Sequence, residues 1–394
     1  MCNQINADDS ARRKQMTRRG FLGVAGAAAC GVGAIVAGCV RKQAAAPPPG
    51  ASQSERKETG AASPPAKRIL GRTGIEVSVL SMGGIAVNAD VLRAGLDKGI
   101  NLIHCAMGYG TLDQVAEAVA GRRDQVFLGL KYERAGRADW DYLGRALEML
   151  KVDHVDILFF PLNTPDAARD RTHLEFFEQV KRRKRARFIG ITTHANVAPA
   201  LQAAVQAGFW DVLMPSYVPA QKARAALRPV LDAAQKKSLG VVAMKTMTGI
   251  RPAAVAQMQT VVREVLADVS VTTLCKGMPT FERIDALLSA PGGPPSKADS
   301  ASLQRHLVSR QGDVCVLCGE CPPCPRGVNV FEVMRVFDYY YVQAGYGEFA
   351  RGMYRSMPPG QRGAACDDCG ECAAKCAYDI DIARRVRAAD LILG

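Results

Sequence analysis

From residue 77 onward the chain alternates short, almost wholly apolar runs with longer stretches in which apolar positions recur every three or four residues. Eight runs stand out: "VSVLSMG" (77–83), "NLIHCA" (101–106), "VFLGLKY" (126–132), "VDILFF" (155–160), "FIGITTH" (188–194), "DVLMPSY" (211–217), "VVAMKT" (241–246) and "VTTLCKG" (271–277). Continuous apolar runs of this length, bounded by turn residues, read as buried strands. Between them, "DYLGRALEMLK" and "VAPALQAAVQAG" read as amphipathic helices, the second closing on Gly208 as a C-cap. Eight strands alternating with helices predict an α/β fold, a (β/α)8 TIM barrel. A doubly wound sheet is the alternative; its first loop should carry GxGxxG, which "SMGGIAVN" lacks.

Two composition breaks frame this region. Residues 41–67, "RKQAAAPPPGASQSERKETGAASPPAK", hold almost no large apolar side chain and cannot bury enough surface to order themselves, so they read as a tether. "APGGPPSKADSAS" (290–302) is the second break. The expected organisation is a signal (1–39), a tether (40–67), a barrel (68–290), a linker (291–310) and a cysteine-rich module (311–394). With 394 residues, 48% of them hydrophobic and 23% charged, the chain has the composition of a globular protein of two or three domains. The net charge of +13 would suit a nucleic acid, but the basic residues are scattered apart from "KRRKRAR" (181–187) and the tails. No stacking aromatics accompany that run, so it reads as the solvated end of a helix and no nucleic-acid partner is expected.

The N-terminus carries an address. "TRRGFLG" (17–23) sets twin arginines, Arg18 and Arg19, before an uncharged stretch rich in Ala and Gly, which resembles a twin-arginine export signal. A stretch so poor in Leu and Ile would sit weakly in a bilayer as an uncleaved anchor. It ends "VAGC" (36–39), like the lipobox of bacterial lipoproteins, in which the cysteine is acylated; simple cleavage near Ala37 is the competing reading. Either Met1 or Met16 would begin a complete leader. The expectation is export to the periplasm or the outer face of the cytoplasmic membrane, with a membrane tether through the N-terminus, lipid-anchored at Cys39. That export route carries folded proteins, so thiolates can be occupied before they meet an oxidising compartment.

Of 13 cysteines, eight form two sets near the end: Cys315, Cys318, Cys321 and Cys324 in "CVLCGECPPC", then Cys366, Cys369, Cys372 and Cys376 in "CDDCGECAAKC". A zinc ribbon uses two separated CxxC pairs, and disulfides need no such spacing. Three cysteines at successive x2 spacings with a fourth beyond suit a cube of iron and sulfide, fed by thiolates from one tight loop. Two 4Fe-4S clusters are expected, in a small, mainly helical, ferredoxin-like dicluster domain; "VFEVMRVFDYYYVQAG" between the sets reads as helix.

"RILGRTGIEVSVLSMGG", "GINLIHCAMGYG", "VFLGLKYE", "VDILFFPLNTPD", "RFIGITTHAN", "GVVAMKTMTG" and "GMPTFERI" resemble, in order and spacing, the strand-end motifs of the aldo/keto reductase family, over residues 67–290. The resemblance implies NADP across the barrel rim and a tetrad of Asp, Tyr, Lys and His that passes hydride and proton to a carbonyl. Tyr109 falls on the proton donor and Lys131 on its partner. The family's Asp falls on His104 and its His on Pro161, and neither replacement keeps the original chemistry. His104 is either a rebuilt acid or base, or a rim histidine with no chemistry. Tyr217 falls on the aromatic that stacks on nicotinamide, and Lys245, Lys276, Gly277 and Arg283 on phosphate contacts; Asp285 and Ala286 stand where the family has Glu-Asn. The cysteine sets resemble a subset of these proteins with a C-terminal 4Fe-4S module. Because the fourth cysteine of each ferredoxin set ligates the other cluster, Cys315, Cys318, Cys321 and Cys376 would hold one, and Cys366, Cys369, Cys372 and Cys324 the second. Ala377 replaces the usual Pro after the last ligand.

The function expected is that of an oxidoreductase that moves electrons between a redox partner protein, two clusters and a small-molecule substrate at the barrel rim. The alternative is a catalytically silent barrel serving as an electron-transfer or binding subunit.

Overall fold

The computed structural model describes residues 64–394 except 135–137, 219–220, 251–253, 291, 310–311, 313–314, 343–345, 373–375 and 377. The twin-arginine motif, Met16, Cys39 and the tether as far as residue 63 lie outside the described residues.

An antiparallel hairpin comes first, β1 (Lys67–Ile69) with β2 (Glu76–Ser78), in register Arg68 to Val77. Eight parallel strands follow: β3 (Leu80–Gly83), β4 (Leu102–Ala106), β5 (Phe127–Lys131), β6 (Val155–Pro161), β7 (Ala186–Thr193), β8 (Val212–Pro215), β9 (Gly240–Ala243) and β10 (Thr273–Gly277). They close in sequence order, β10 pairing with both β9 and β3. This is a (β/α)8 barrel, and each of the eight apolar runs supplies one of its strands.

The helices alternate with them: α1 (Ala89–Asp97), α2 (Leu112–Val119), α3 (Trp140–Leu150), α4 (Pro165–Arg169) with α5 (Thr172–Arg182), α6 (Val197–Ala207), α7 (Gln221–Lys236), α8 (Val255–Ala267) and α9 (Phe281–Leu288). Short polar residues start several of them. Asn88, Asp139 and Thr280 each accept a hydrogen bond from a backbone N–H of the first turn, at 2.9, 2.8 and 3.2 Å. Gly208 ends α6 at φ 81°, the left-handed cap that its position predicts.

Strand alternation divides the core in two. Side chains such as Leu143, Phe160 and Val261 fill the layer between strands and helices, while Leu102, Ile157, Phe159, Val212, Met214 and Met244 fill the barrel interior. Leu70, Ile75 and Val77 of the hairpin join the interior group from below. Phe159 is the plug. Its ring lies where a Cβ at Gly129 or Gly190 would have to stand, so the two neighbouring strands are glycine at its level.

Beyond the barrel lie α10 (Lys297–Val308), α11 (Val330–Val342), α12 (Gly347–Ser356) and α13 (Ile382–Leu393). The segment expected to be a plain linker therefore contains a helix. Ser296 and Asp299 form a capping box at its start, and Asp299 accepts from Arg263 of α8 at 2.9 Å. Likewise, Lys67 belongs to β1 rather than to the tether. Helices α11, α12 and α13 share their own core of Val333, Met334, Val336, Tyr354 and Val386. Tyr354 donates to Asp390 at 2.8 Å and accepts from the Gly363 N–H at 2.7 Å. Barrel and C-terminal helices fall in one compact unit. Among the described residues no helix is long and apolar enough to cross a membrane.

Candidate active site

The carboxyl ends of the strands open on a cavity of about 1040 Å³, part of it continuous with solvent. In a (β/α)8 barrel this is the face where reactive side chains gather. Gly83, His104, Met214, Met244, Cys275 and Gly277 line it from strand ends, and Tyr109, His194, Lys245 and Arg283 from the loops and helices beyond. Part of the wall comes from outside the barrel. Asp338 and Tyr339 of α11, with Tyr346 just before α12, close the mouth. The Tyr346 hydroxyl occupies the space beside Gly277 that any side chain there would need.

Tyr109 and Lys131 do meet, but by the ring. Lys131 Nζ stands 4.6 Å above the centre of the Tyr109 ring. Burial, then Tyr339 and Glu133, push the Tyr109 phenol well above its ordinary range. Lys131 is ion-paired with Glu133 at 3.0 Å, and Glu133 also accepts from the Gly108 N–H at 2.8 Å and the Tyr142 hydroxyl at 2.9 Å. The negative charge that His104 cannot give Lys131 thus comes from a residue two places further along the same chain. The order "LKYE" carried that signal, since residues i and i+2 of an extended chain share a side.

His104 is 6% exposed, packs edge-on to Phe159 at 5.5 Å, and its Nε2 has no hydrogen-bond partner among the described residues. Burial, then the Lys131 charge, push its pKa down to about 3, so the imidazole is neutral. His194, at the end of the fifth apolar run, is a second neutral imidazole on the cavity, held well below its usual range by burial; its Nδ1 lies 3.3 Å from Ser216 Oγ.

The expected cofactor contacts separate into two groups. Lys245, Lys276, Gly277 and Arg283 line the cavity. Burial, then repulsion from Lys245, bring the Lys276 ammonium down to about 8. Tyr217 does not line it. Its ring packs in the strand–helix layer, its hydroxyl donates to Asp268 at 2.9 Å, and Arg224 stacks on it at 5.1 Å. Lys245 is engaged as well. It donates to the Tyr339 hydroxyl at 2.6 Å, from a backbone held at φ 58°, a left-handed conformation that costs a non-glycine residue about 1–3 kcal/mol. Sequence reading missed Tyr339 because only the docking of α11 on the barrel brings it there.

The eight cysteines fall into two further cavities. One is lined by Cys315, Cys318, Cys321 and Cys376 together with Phe331 and Met334 of α11. The other is lined by Cys324, Cys366, Cys369 and Cys372 together with Val330. Neither grouping follows sequence order; each takes three cysteines from one set and the last of the other. All ten described cysteines are unbridged. Burial raises the Cys315 and Cys321 thiols, Cys321 to about 12, and neighbouring cysteines raise them further. Such a group is stable as thiolates only around a cationic centre. Among the described residues no group of three or more His, Cys, Asp or Glu side chains is arranged to hold a metal ion. The first cavity adjoins the barrel: Leu317 packs on Val218, and Gly319 lies against the Ala195 backbone.

No family model matches the chain, and no curated protein matches it. Solved structures do. An aldo-keto reductase from Bacillus halodurans in its holo form matches at 18% identity and a TM-score of 0.50, over 62% of this chain and 95% of that one. A Pseudomonas aeruginosa protein assigned to the same reductases matches at 18% identity and a TM-score of 0.51, over 59% and 98%. An aldo-keto reductase solved in complex with NADPH matches at 16% identity and a TM-score of 0.50, over 62% and 88%. At such identities the likeness is one of architecture: this chain has the eight-stranded parallel barrel of the aldo-keto reductases.

Proposed function

We propose that the chain is an exported iron-sulfur oxidoreductase with an aldo-keto reductase barrel. Cys315, Cys318, Cys321 and Cys376 would hold one 4Fe-4S cluster, and Cys324, Cys366, Cys369 and Cys372 the other. The observation that carries this reading is the sorting of eight cysteines into two four-cysteine cavities, each borrowing its last member from the opposite set. That interlock suits a dicluster module. The donor set is all thiol and the walls are apolar.

A bound cluster of this type supplies one electron at a time. Clusters held in these cavities would lie close to the rim. Met334 lines the first cysteine cavity and Tyr339 lines the rim cavity, five residues apart on α11, or about 7.5 Å along a helix axis. Lys245, Lys276 and Arg283 give the rim cavity a cationic side, which favours a small anionic or strongly polar substrate. NADP enters the proposal through Lys276, Gly277 and Arg283, and through the neighbour that carries NADPH. Tyr217 has no part in it.

Protein purified without oxygen should contain about eight irons and as many acid-labile sulfides per chain, and Cys321→Ser should remove one cluster and weaken the other. One zinc and no sulfide would end the proposal. Carbonyl reduction driven by a reduced viologen, compared with NADPH as sole donor, tells the one-electron route from the nicotinamide route; clusters that cycle with neither reaction support the silent-barrel alternative. For export, replacing Arg18 and Arg19 by Lys should leave the protein in the cytoplasm, and Cys39→Ala should release it from the membrane.

A further inference from the structure

We propose that Tyr339, held by Lys245, is the proton donor of the rim cavity, so that the C-terminal helix α11 supplies the acid that the barrel's own Tyr109 does not. The inference rests on the reading of that cavity as a site of reduction, and its test is independent of it.

Three observations place the two phenols in different roles. Both lysines lie over a tyrosine ring, Lys245 at 3.8 Å from the Tyr339 centre and Lys131 at 4.6 Å from the Tyr109 centre, but Lys245 Nζ also donates to the Tyr339 Oη at 2.6 Å. A second cation, Arg335 on the preceding turn of α11, donates to the same Tyr339 oxygen at 3.3 Å. Tyr339 lines the cavity together with His104 and His194, two neutral imidazoles able to hold a polar substrate. The cations that face Tyr339 are Lys245 beyond β9, Lys131 at the end of β5, Lys276 in β10 and Arg335 on its own helix, where Arg335 is ion-paired with Glu332; Asp338 of the same helix lines the cavity beside it, and Tyr109 and Tyr346 are its neutral titratable neighbours. Burial by itself would raise its phenol, yet Lys245 and Arg335 bring it below the ordinary tyrosine range. Tyr109 moves the opposite way. Where one environment pushes two like groups apart, the one stabilised as an anion is the acid.

The step is a proton transfer. As a carbonyl gains two electrons in succession from a one-electron donor, its oxygen takes the proton of Tyr339 and a second proton reaches carbon from solvent. The phenol O–H breaks, the alcohol O–H forms, the phenolate is neutralised by Lys245 and Arg335, and water returns the proton.

Phenolate absorbance followed against pH decides the point. One tyrosine should titrate below the usual value of about 10, vanish in Tyr339→Phe, move upward in Lys245→Met and persist in Tyr109→Phe. Tyr339→Phe keeps the ring that packs on Tyr346 and Phe349, so its iron content should match the parent, while viologen-driven turnover should fall by about 10²- to 10⁴-fold. A low-titrating phenol that survives Tyr339→Phe, its absence from the parent, or a larger loss of turnover in Tyr109→Phe would overturn the assignment. A protein with this phenol but no iron would overturn the cluster reading alone.

Discussion

Glu133 shows how a site is rebuilt from a neighbour when a motif position changes. It binds Lys131, the Gly108 N–H and the Tyr142 hydroxyl at once, so removing its charge strands an ammonium whose side chain is 15% exposed. Glu133→Gln should destabilise the fold by about 1–3 kcal/mol in chemical denaturation, the cost of leaving such a partner unmet. The pH dependence carries a sign. Burial opposes ionisation of Glu133, but Lys131 and the donated hydrogen bonds outweigh it and its pKa is lowered. Its contribution is therefore full above the unfolded carboxyl pKa and is lost as pH falls through the lower folded value. The parent and Glu133→Gln should converge in stability at acid pH; a gap that persists there would show that packing, not charge, is at stake. This residue was legible in the sequence as a position but not as a role, because the motif directs the eye to 104 and 161.

At the scale of elements, the barrel strands were readable because parallel strands covered by helices are apolar on both faces, which leaves a run without alternation. The hairpin of β1 and β2 escaped that reading: its strands are three residues each and Ile69 is 55% exposed. Helix α10 was hidden by its Pro- and Gly-rich approach, although Ser296 and Asp299 spell a capping box. Inside the barrel the limiting contact is between β6 and its neighbours. Gly190→Ala would drive a methyl into the Phe159 ring against rigid strands. It should cost about 1–3 kcal/mol, the usual penalty of overpacking, and the double change with Phe159→Leu should recover part of it. Equal melting temperatures for parent and Gly190→Ala would mean the ring can swing aside.

In the whole molecule, α11 is a wall common to three spaces. Val330 borders one cysteine cavity, Phe331 and Met334 the other, and Asp338 and Tyr339 the rim. None of this was legible in the sequence, where the helix stands between its cysteines with no mark of what it docks against. On the proposal that the cysteine cavities hold clusters, stripping iron with a chelator should lower the melting temperature of the barrel as well as of α11 to α13, since Lys245 and Gly277 would lose the tyrosines that cover them. A barrel that melts unchanged after iron removal would show the two parts to be energetically separate.

Sharing a wall also ties occupancy to occupancy. On the proposed function, a ligand seated against Tyr339 and a cluster seated against Met334 would press on the same thirteen-residue rod, and whatever coupling that rod carries would be equal in both directions. The reduced and oxidised forms of the protein would then differ in how tightly they hold substrate and product. Measured as a ratio of dissociation constants in the two redox states, that term gives the shift in cluster potential that a bound ligand must cause, with no further experiment.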